Sequence, residues 1–232
     1  MKKYILTGIS VISLLPVTSF ADQEFFTASP NNAKTGIIIV PLSQMSNPES
    51  VATYLEDQKT KGYSLKESDE VKQMIKSSHA NYLSEINNIS DPKDTHMKSD
   101  LSKIQLAFKY KGIPFFNAIG YAPGGAYIPH AGWTTIGTFF NDKEMGACEY
   151  RLNNMKLAKG AVLIPQESVR YDINNKVTNI FVEGSKHSGF MYNVTWNDDT
   201  YNHFLICANM NLDNNITSRM IELAKKIDKT IF

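Results

Sequence analysis

The chain has 232 residues, of which 42% are hydrophobic, so it is long enough to bury a sizeable core. Its 24 basic and 23 acidic residues give a formal net charge of +1. This near-neutral balance provides no excess of basic residues for binding nucleic acid or an anionic membrane surface.

The first residues have the pattern of a secretory signal peptide. Two lysines precede the apolar run 5–17, and Ser19 and Ala21 place small residues at the −3 and −1 positions of a cleavage site. The run is too short for a stable membrane span, and no later stretch is apolar for long enough. The sequence therefore predicts a signal peptide at 1–21 and a soluble, secreted or periplasmic mature chain; a buried N-terminal helix is the alternative.

The two cysteines, Cys148 and Cys207, predict one disulfide bond. Exported proteins fold in an oxidising environment, and both cysteines lie in strand-like, alternating stretches and not in a Cys-x-x-Cys motif. Closing a loop of about 60 residues would restrict the unfolded chain by about 4 kcal/mol. A catalytic or redox thiol is the alternative interpretation.

The mature chain is expected to form one domain. Residues 22–35 are polar and predict a flexible N-terminal tail, whereas the β-branched run 36–41 predicts a buried strand. No internal repeat or linker follows, and the N-terminal part has too few apolar residues for a core of its own. We therefore assign residues 36–232 to a single α+β domain.

Two helices are predicted in the N-terminal half. Asn47-Pro48-Glu49 supplies a capping side chain, a proline at the first helical position and an acid near the helix N-terminus, and Gly62 ends the helix. Its stripe at helical spacing comprises Val51, Tyr54, Leu55 and Gln58. A second helix begins at Ser68-Asp69 and carries His79 on its apolar stripe. No second ligand lies four residues from His79, so we interpret it as a packing residue and not a metal ligand.

From residue 104 the hydrophobic period changes from helical spacing to alternation, and the pattern is mainly β. The predicted strands are 104–110, 133–140, 148–152, 161–164, 169–173, 177–183, 190–196 and 201–210. A phase shift after Asn153-Asn154 predicts a bulge, and Asn214 or Asn215 is expected to cap a final helix. The fold class is therefore α+β: an antiparallel β-meander packed on one side with N-terminal helices and a C-terminal helix.

The last two strands predict a hairpin that carries the core. With a four-residue loop at 197–200, Trp196 would face Tyr201 and Phe190 would face Cys207. One face of this hairpin is rich in aromatic residues, and we assign it to the core. The other face is mixed, which fits either a layer of helices or a partner surface.

Residues 112–132 break the alternation and predict a long irregular loop, which is uncommon inside a compact domain and often functional. The aromatic and imidazole side chains in and beside this loop form the predicted binding surface. They are Tyr121, Tyr127, His130 and Trp133. The alternative is an ordered loop that covers one end of the sheet and buries these side chains.

No motif for catalysis, a metal or a cofactor is recognised in the sequence. The segment Gly184–Gly189 contains serine, lysine and histidine, but it links two strands, so a polar β-turn explains it. We therefore predict an exported, non-enzymatic protein that binds a protein, peptide or glycan through 112–133. The alternatives are a hydrolase whose site is assembled around His130 and a structural component of envelope assembly.

Overall fold

The computed structural model of the protein describes residues 36–77 and 97–231. Four predictions lie outside these ranges: the signal peptide 1–21, the tail 22–35, the placement of His79, and the continuation of the second helix beyond residue 77.

Ten strands and four helices are described. The strands are β1 (Gly36–Val40), β2 (Ser64–Leu65), β3 (Gly120–Ile128), β4 (Gly132–Asp142), β5 (Gly146–Asn154), β6 (Ala161–Pro165), β7 (Arg170–Ile173), β8 (Lys176–Ser185), β9 (Gly189–Asn197) and β10 (Tyr201–Asn209). The helices are α1 (Pro48–Lys61), α2 (Glu70–Ser77), α3 (Met155–Ala158) and α4 (Asn214–Thr230). Short 3-10 turns occupy Leu42–Gln44, Leu101–Lys103 and Gln166–Ser168.

The main sheet consists of two antiparallel meanders placed side by side. Its order is β2-β8-β9-β10-β5-β4-β3, and β7 pairs with β8. The meanders β3-β4-β5 and β8-β9-β10 meet where β10 pairs with β5. Strands β1 and β6 form a separate, parallel pair. The predicted α+β class with a mainly antiparallel sheet is confirmed, although the parallel pair was not predicted.

The predicted disulfide is confirmed. Cys148 on β5 and Cys207 on β10 lie directly opposite each other in the sheet, with their Cα atoms 4.2 Å apart. Both residues are buried, with exposed fractions of 1% and 0%. The bond therefore joins neighbouring strands inside the core.

The β9–β10 hairpin has the predicted faces but a different register. Trp196 pairs with His203, two residues further along than predicted. The reason is the position of the turn, which is centred between Asp199 and Thr200, one residue later than predicted. The Asp198 N–H donates to the Tyr201 carbonyl (3.0 Å), and the Asp198 carboxylate accepts from the N–H groups of Thr200 and Tyr201. A shift of two residues leaves every side chain on its predicted face.

The aromatic face of the hairpin lies in the core, as predicted, and α4 packs on it. Its buried members from the hairpin are Phe190, Tyr192, Val194, Trp196, Leu205 and Cys207. The expectation that all helices lie on one side is wrong. Helix α2 packs on the opposite face of the sheet, where Val71 forms a buried cluster with Met191, Ile206 and Ala208.

Two segments before β4 differ from prediction. Residues 104–110 form no strand; only Leu106 makes an isolated bridge, to Trp133. The alternation there nevertheless identifies the side chains that pack on the core, among them Leu106 and Phe108. The predicted irregular loop 112–132 is also wrong at residues 120–128, which form β3 and pair with β4 through a bulge. Alternation is lost there because the edge strand contains Pro123, Gly124 and Gly125.

The helix ends follow capping chemistry, with local corrections. The Asn47 side chain accepts from the Ser50 N–H, and Gly62 ends α1 in the left-handed conformation, as predicted. At α4 the cap is Asp213, one residue before the asparagines that were predicted. The bulge predicted after Asn153-Asn154 is instead the short helix α3, because the Asn154 side chain accepts from the Leu157 N–H.

Candidate functional site

The outer edge of β8 is only partly covered by other strands. One side of β8 pairs with β9. On the other side, residues 183–184 of β8 pair with β2, and residues 176–178 of β8 pair with β7. Over the ranges that the structure describes, no strand pairs with residues 179–182 on this side. This short stretch of the β8 edge therefore lies between two strands, β2 and β7, that pair with β8 on either side of it.

The side chain of Gln58 occupies part of this gap. Its Nε2 donates to the Val182 carbonyl (2.6 Å), and its Oε1 accepts from the Val182 N–H (2.9 Å). Nε2 also lies 2.9 Å from Ser64 Oγ, which in turn donates to the Tyr54 carbonyl. The amide of Gln58 thus forms the two hydrogen bonds that a residue of a neighbouring strand would form.

A cleft of about 390 Å³, which we call the β8-edge cleft, opens beside this gap between α1, β8 and the segment around the Gln166–Ser168 turn. Its walls are lined by Val51, Tyr54, Leu55, Gln58, Lys59, Gly62, Pro165, Glu167, Ser168, Arg170, Asn179, Ile180, Phe181, Val182 and Thr217. The rings of Tyr54 and Phe181 meet edge to face, with centroids 5.8 Å apart. The floor is therefore strand backbone, and much of the wall is apolar.

The Tyr54 hydroxyl is a buried donor for which the described part of the chain offers no acceptor. Burial raises the pKa of Tyr54 well above its ordinary value, and the Glu183 carboxylate raises it further. The group therefore stays protonated at neutral pH. Leaving a buried hydroxyl without a partner costs about 1–3 kcal/mol.

Two charged groups of the cleft are already engaged by the protein. The Arg170 guanidinium forms a two-point contact with Asp172, at 2.6 and 2.9 Å. The Glu167 carboxylate accepts from the Leu42 N–H, with both oxygens at 3.1 Å. Arg170 is thus ion-paired and Glu167 is hydrogen-bonded within the protein, and Lys59 is the remaining charged residue of the lining.

A second polar cluster lies under the β9–β10 turn. Tyr150 Oη is 2.8 Å from His203 Nδ1, and His203 Nε2 is 3.6 Å from Asp198 Oδ2. Lys176 Nζ contacts Asp198 (3.2 Å) and Asp228 (2.6 Å). Trp196 Nε1 also donates to Asp228 (2.9 Å), and the Trp196 ring stacks on the His203 ring at 4.8 Å.

Burial decides what this cluster can do. It lowers the pKa of His203, which Asp198 only partly opposes, and it raises the pKa of Tyr150. Burial also raises the pKa of Asp198, but His203, two main-chain N–H groups and Lys176 outweigh it, so the pKa falls well below its ordinary value. Tyr150 and His203 have no solvent-exposed surface. The cluster therefore ties α4 and the turn to the sheet, and its histidine is out of reach of a substrate.

The four residues predicted as a binding surface do not form one patch. Tyr127 and Trp133 meet edge to face at 5.2 Å near the tip of the β3–β4 hairpin, and His130 lies exposed in the turn with φ of 64°. Trp133 itself is 8% exposed. Tyr121 is six residues from Tyr127, about 20 Å along an extended strand. The structure thus brings Tyr127, Trp133 and the turn together and separates Tyr121 from them.

Sequence reasoning missed the role of Gln58. The sequence did place Gln58 on the apolar stripe of α1, and a polar side chain in such a stripe is the one signal that could have identified it. Its partner Val182 lies 124 residues away, so the contact itself carried no local signal.

Comparisons of the chain with protein-family models, with curated proteins and with solved structures found no match. Within residues 36–77 and 97–231, no three histidine, cysteine or acidic side chains come together as a metal site would require. In the same ranges, no helix is both long enough and apolar enough to cross a membrane. The geometry of the sites described above therefore carries the functional argument.

Proposed function

We propose that the protein is an exported, non-enzymatic binding protein whose ligand occupies the β8-edge cleft. The observation that carries the proposal is the cleft itself, about 390 Å³ in volume, beside the stretch of β8 that lacks a strand partner. Ligand pockets typically measure 300–1,000 Å³ and combine apolar walls with a few polar groups. The β8-edge cleft has this make-up, with Leu55 and Phe181 in its walls and Gln58 as a polar group.

Export is part of the proposal, and two observations support it. The disulfide between Cys148 and Cys207 is typical of proteins that fold outside the reducing cytosol. The pattern at 1–21 is that of a secretory signal peptide.

Binding without chemistry is favoured by where the histidines and cysteines lie. Within the part of the chain that the structure describes, the β8-edge cleft is lined by no histidine and no cysteine. The buried pair His203 and Tyr150 is enclosed by the core. The His130 main-chain carbonyl accepts from Gln105 Nε2 (3.3 Å) in an exposed turn.

The test is a binding screen of the full exported chain, labelled with ¹⁵N, against panels of short peptides, oligosaccharides and small amides. We expect hits to shift the amide resonances of Leu55, Gln58 and Ile180. Leu55→Trp should fill the cleft and abolish these shifts, whereas Leu157→Trp, at an exposed position on α3, should preserve them. Compounds that shift only the amide resonances of residues 120–133 would show that the binding site is the β3–β4 hairpin and would refute binding in the cleft.

The screen also tests whether the protein is an enzyme. Each bound compound is incubated with the protein and analysed by mass spectrometry. We expect every compound to be recovered unchanged. Catalytic turnover of a bound compound, lost in His130→Gln, would favour the hydrolase alternative.

A further inference from the structure

We infer that the ligand of the β8-edge cleft is an extended peptide whose main chain pairs with residues 179–182 of β8 and displaces the Gln58 amide. The inference rests on the proposed function and names the class of ligand. It draws on three observations: the hydrogen bonds of Gln58, the gap between β2 and β7, and the protected edge on the other side of the sheet.

The Gln58 amide shows what chemistry this edge accepts. A primary amide presents one donor and one acceptor in nearly the geometry of a peptide group, and here both bond to the same residue, Val182. Paired main-chain groups in an antiparallel sheet form this two-point contact. Gln58 is therefore an internal substitute for a single residue of an added strand, and a peptide could replace it with more such contacts.

The gap has the length of a short added strand. Residues 179–182 span about 13 Å at the usual rise per residue. Strand β2 pairs with Glu183 and Gly184 on one side of the gap, and β7 pairs with Thr178 on the other. Addition of a peptide strand to an exposed sheet edge is a common recognition mode, in which main-chain bonds supply affinity and side-chain pockets supply selectivity.

The opposite edge of the sheet is closed to the same mode of binding. On β3, the N–H and C=O of Tyr121 are bonded to Lys98, at 2.7 and 2.6 Å. Pro123 lies two residues further along, so its main chain faces the same outer side of the sheet. Because proline has no N–H, this position cannot donate a hydrogen bond to an added strand. The bulge between Gly124 and Tyr127 then interrupts the strand. These are the usual devices that prevent pairing at an edge, so within residues 36–77 and 97–231 β8 offers a peptide a more accessible edge than β3 does.

The walls of the cleft indicate which side chains the peptide carries. Side chains of an added strand alternate between the two faces of the sheet. On one face they would meet Leu55 and Phe181, which are apolar. Arg170 is ion-paired with Asp172, Glu167 accepts a hydrogen bond from the Leu42 N–H, and Lys59 is the third charged residue of the lining. We therefore expect an aliphatic or aromatic residue at the position that faces α1.

The first experiment measures the affinity of acetylated and amidated hexapeptides of serine and threonine, with leucine, phenylalanine, aspartate or lysine at one central position. Leucine and phenylalanine should bind at least tenfold more tightly than aspartate and lysine. Single N-methyl groups are then placed at each main-chain position of the best peptide. Because alternate N–H groups of a strand face the same neighbour, N-methylation should weaken binding about tenfold at every second position and little between them. Equal effects at all positions would overturn the inference.

The second experiment removes the internal substitute. In Gln58→Met the side chain keeps its length but loses both hydrogen bonds to Val182 and the one to Ser64. The peptide then no longer competes with the Gln58 amide, and its affinity should rise about tenfold. Gln58→Ala should raise the affinity for the peptide in the same way. Gln73 is an exposed glutamine on α2, so Gln73→Ala should leave the affinity unchanged. Tighter binding in both Gln58 variants supports displacement, whereas weaker binding would show that Gln58 contacts the ligand and would overturn the inference.

The outcomes separate this inference from the proposed function. If oligosaccharides or small amides bind in the cleft while every peptide fails, the peptide inference is wrong and the binding function stands. If no compound of any class shifts Leu55 or Ile180, both fail.

Discussion

Removal of the disulfide should destabilise the protein by about 4 kcal/mol. The perturbation is the double substitution Cys148→Ala and Cys207→Ala, which avoids leaving one free thiol. The two cysteines are 59 residues apart in the sequence, and a loop of that length gives about 4 kcal/mol in the chain-entropy description. Such a loss is a large fraction of the 5–15 kcal/mol that typically separates folded from unfolded protein.

The assay is urea unfolding followed by fluorescence of the two tryptophans, Trp133 and Trp196, both of which are buried in the folded protein. The free energy of unfolding in water is compared between the oxidised wild type and the double variant. The urea dependence should also steepen in the variant, because an unfolded chain without the cross-link exposes more surface.

The rate of reduction by dithiothreitol tests whether the disulfide is buried. Cys148 and Cys207 are at most 1% exposed, so dithiothreitol should reduce the native protein only as fast as the protein opens. A stability loss below about 1 kcal/mol would refute the entropy argument. Rapid reduction under native conditions would refute the buried placement of the bond.

Three further predictions test the core, the cleft and the buried histidine. Leu205→Ala should cost about 2–5 kcal/mol in urea unfolding, and Leu157→Ala, at an exposed position, less than about 0.5 kcal/mol. Tyr54→Phe should raise stability by about 1 kcal/mol or more in the same assay, because it removes a buried hydroxyl without an acceptor; a loss of stability would show that this hydroxyl is bonded. Burial lowers the pKa of His203 below its ordinary 6.5, so the unfolded chain binds the proton first and stability should fall as the pH decreases below about 6.5. Between pH 7.5 and 5, the free energy of unfolding should decline less steeply in His203→Gln than in the wild type, and equal slopes would contradict this prediction. The low pKa of Asp198 affects stability only below about pH 3.8, outside this range.

Local chemistry made much of the fold predictable. Alternation identified both faces of β9 and β10, and it survived a register error of two residues because side-chain direction has a period of two. The capping side chain of Asn47 and the left-handed Gly62 fixed the ends of α1. The predicted export led to the prediction of the disulfide, since two cysteines that oxidise within one chain have one pairing available.

What failed depended on distant partners. Residues 104–110 alternate because their side chains pack on the core, but a strand also needs a continuous neighbour, and here only Leu106 has one. Strand β3 was hidden because glycine and proline at a sheet edge resemble a loop. The candidate site was not predictable, because Gln58 and Val182 are brought together by the packing of α1 against β8.

The bond between β5 and β10 also makes the segment 148–207 a covalent ring. This ring contains β6 to β9 completely, including the strand edge proposed to hold the ligand. A protease that cuts the exposed turn at Asn174-Asn175 would open the backbone without separating the pieces, because each end remains attached through the cystine. The strands around the cleft would thus stay on one molecule after a nick, and only a reductant would reveal the cut.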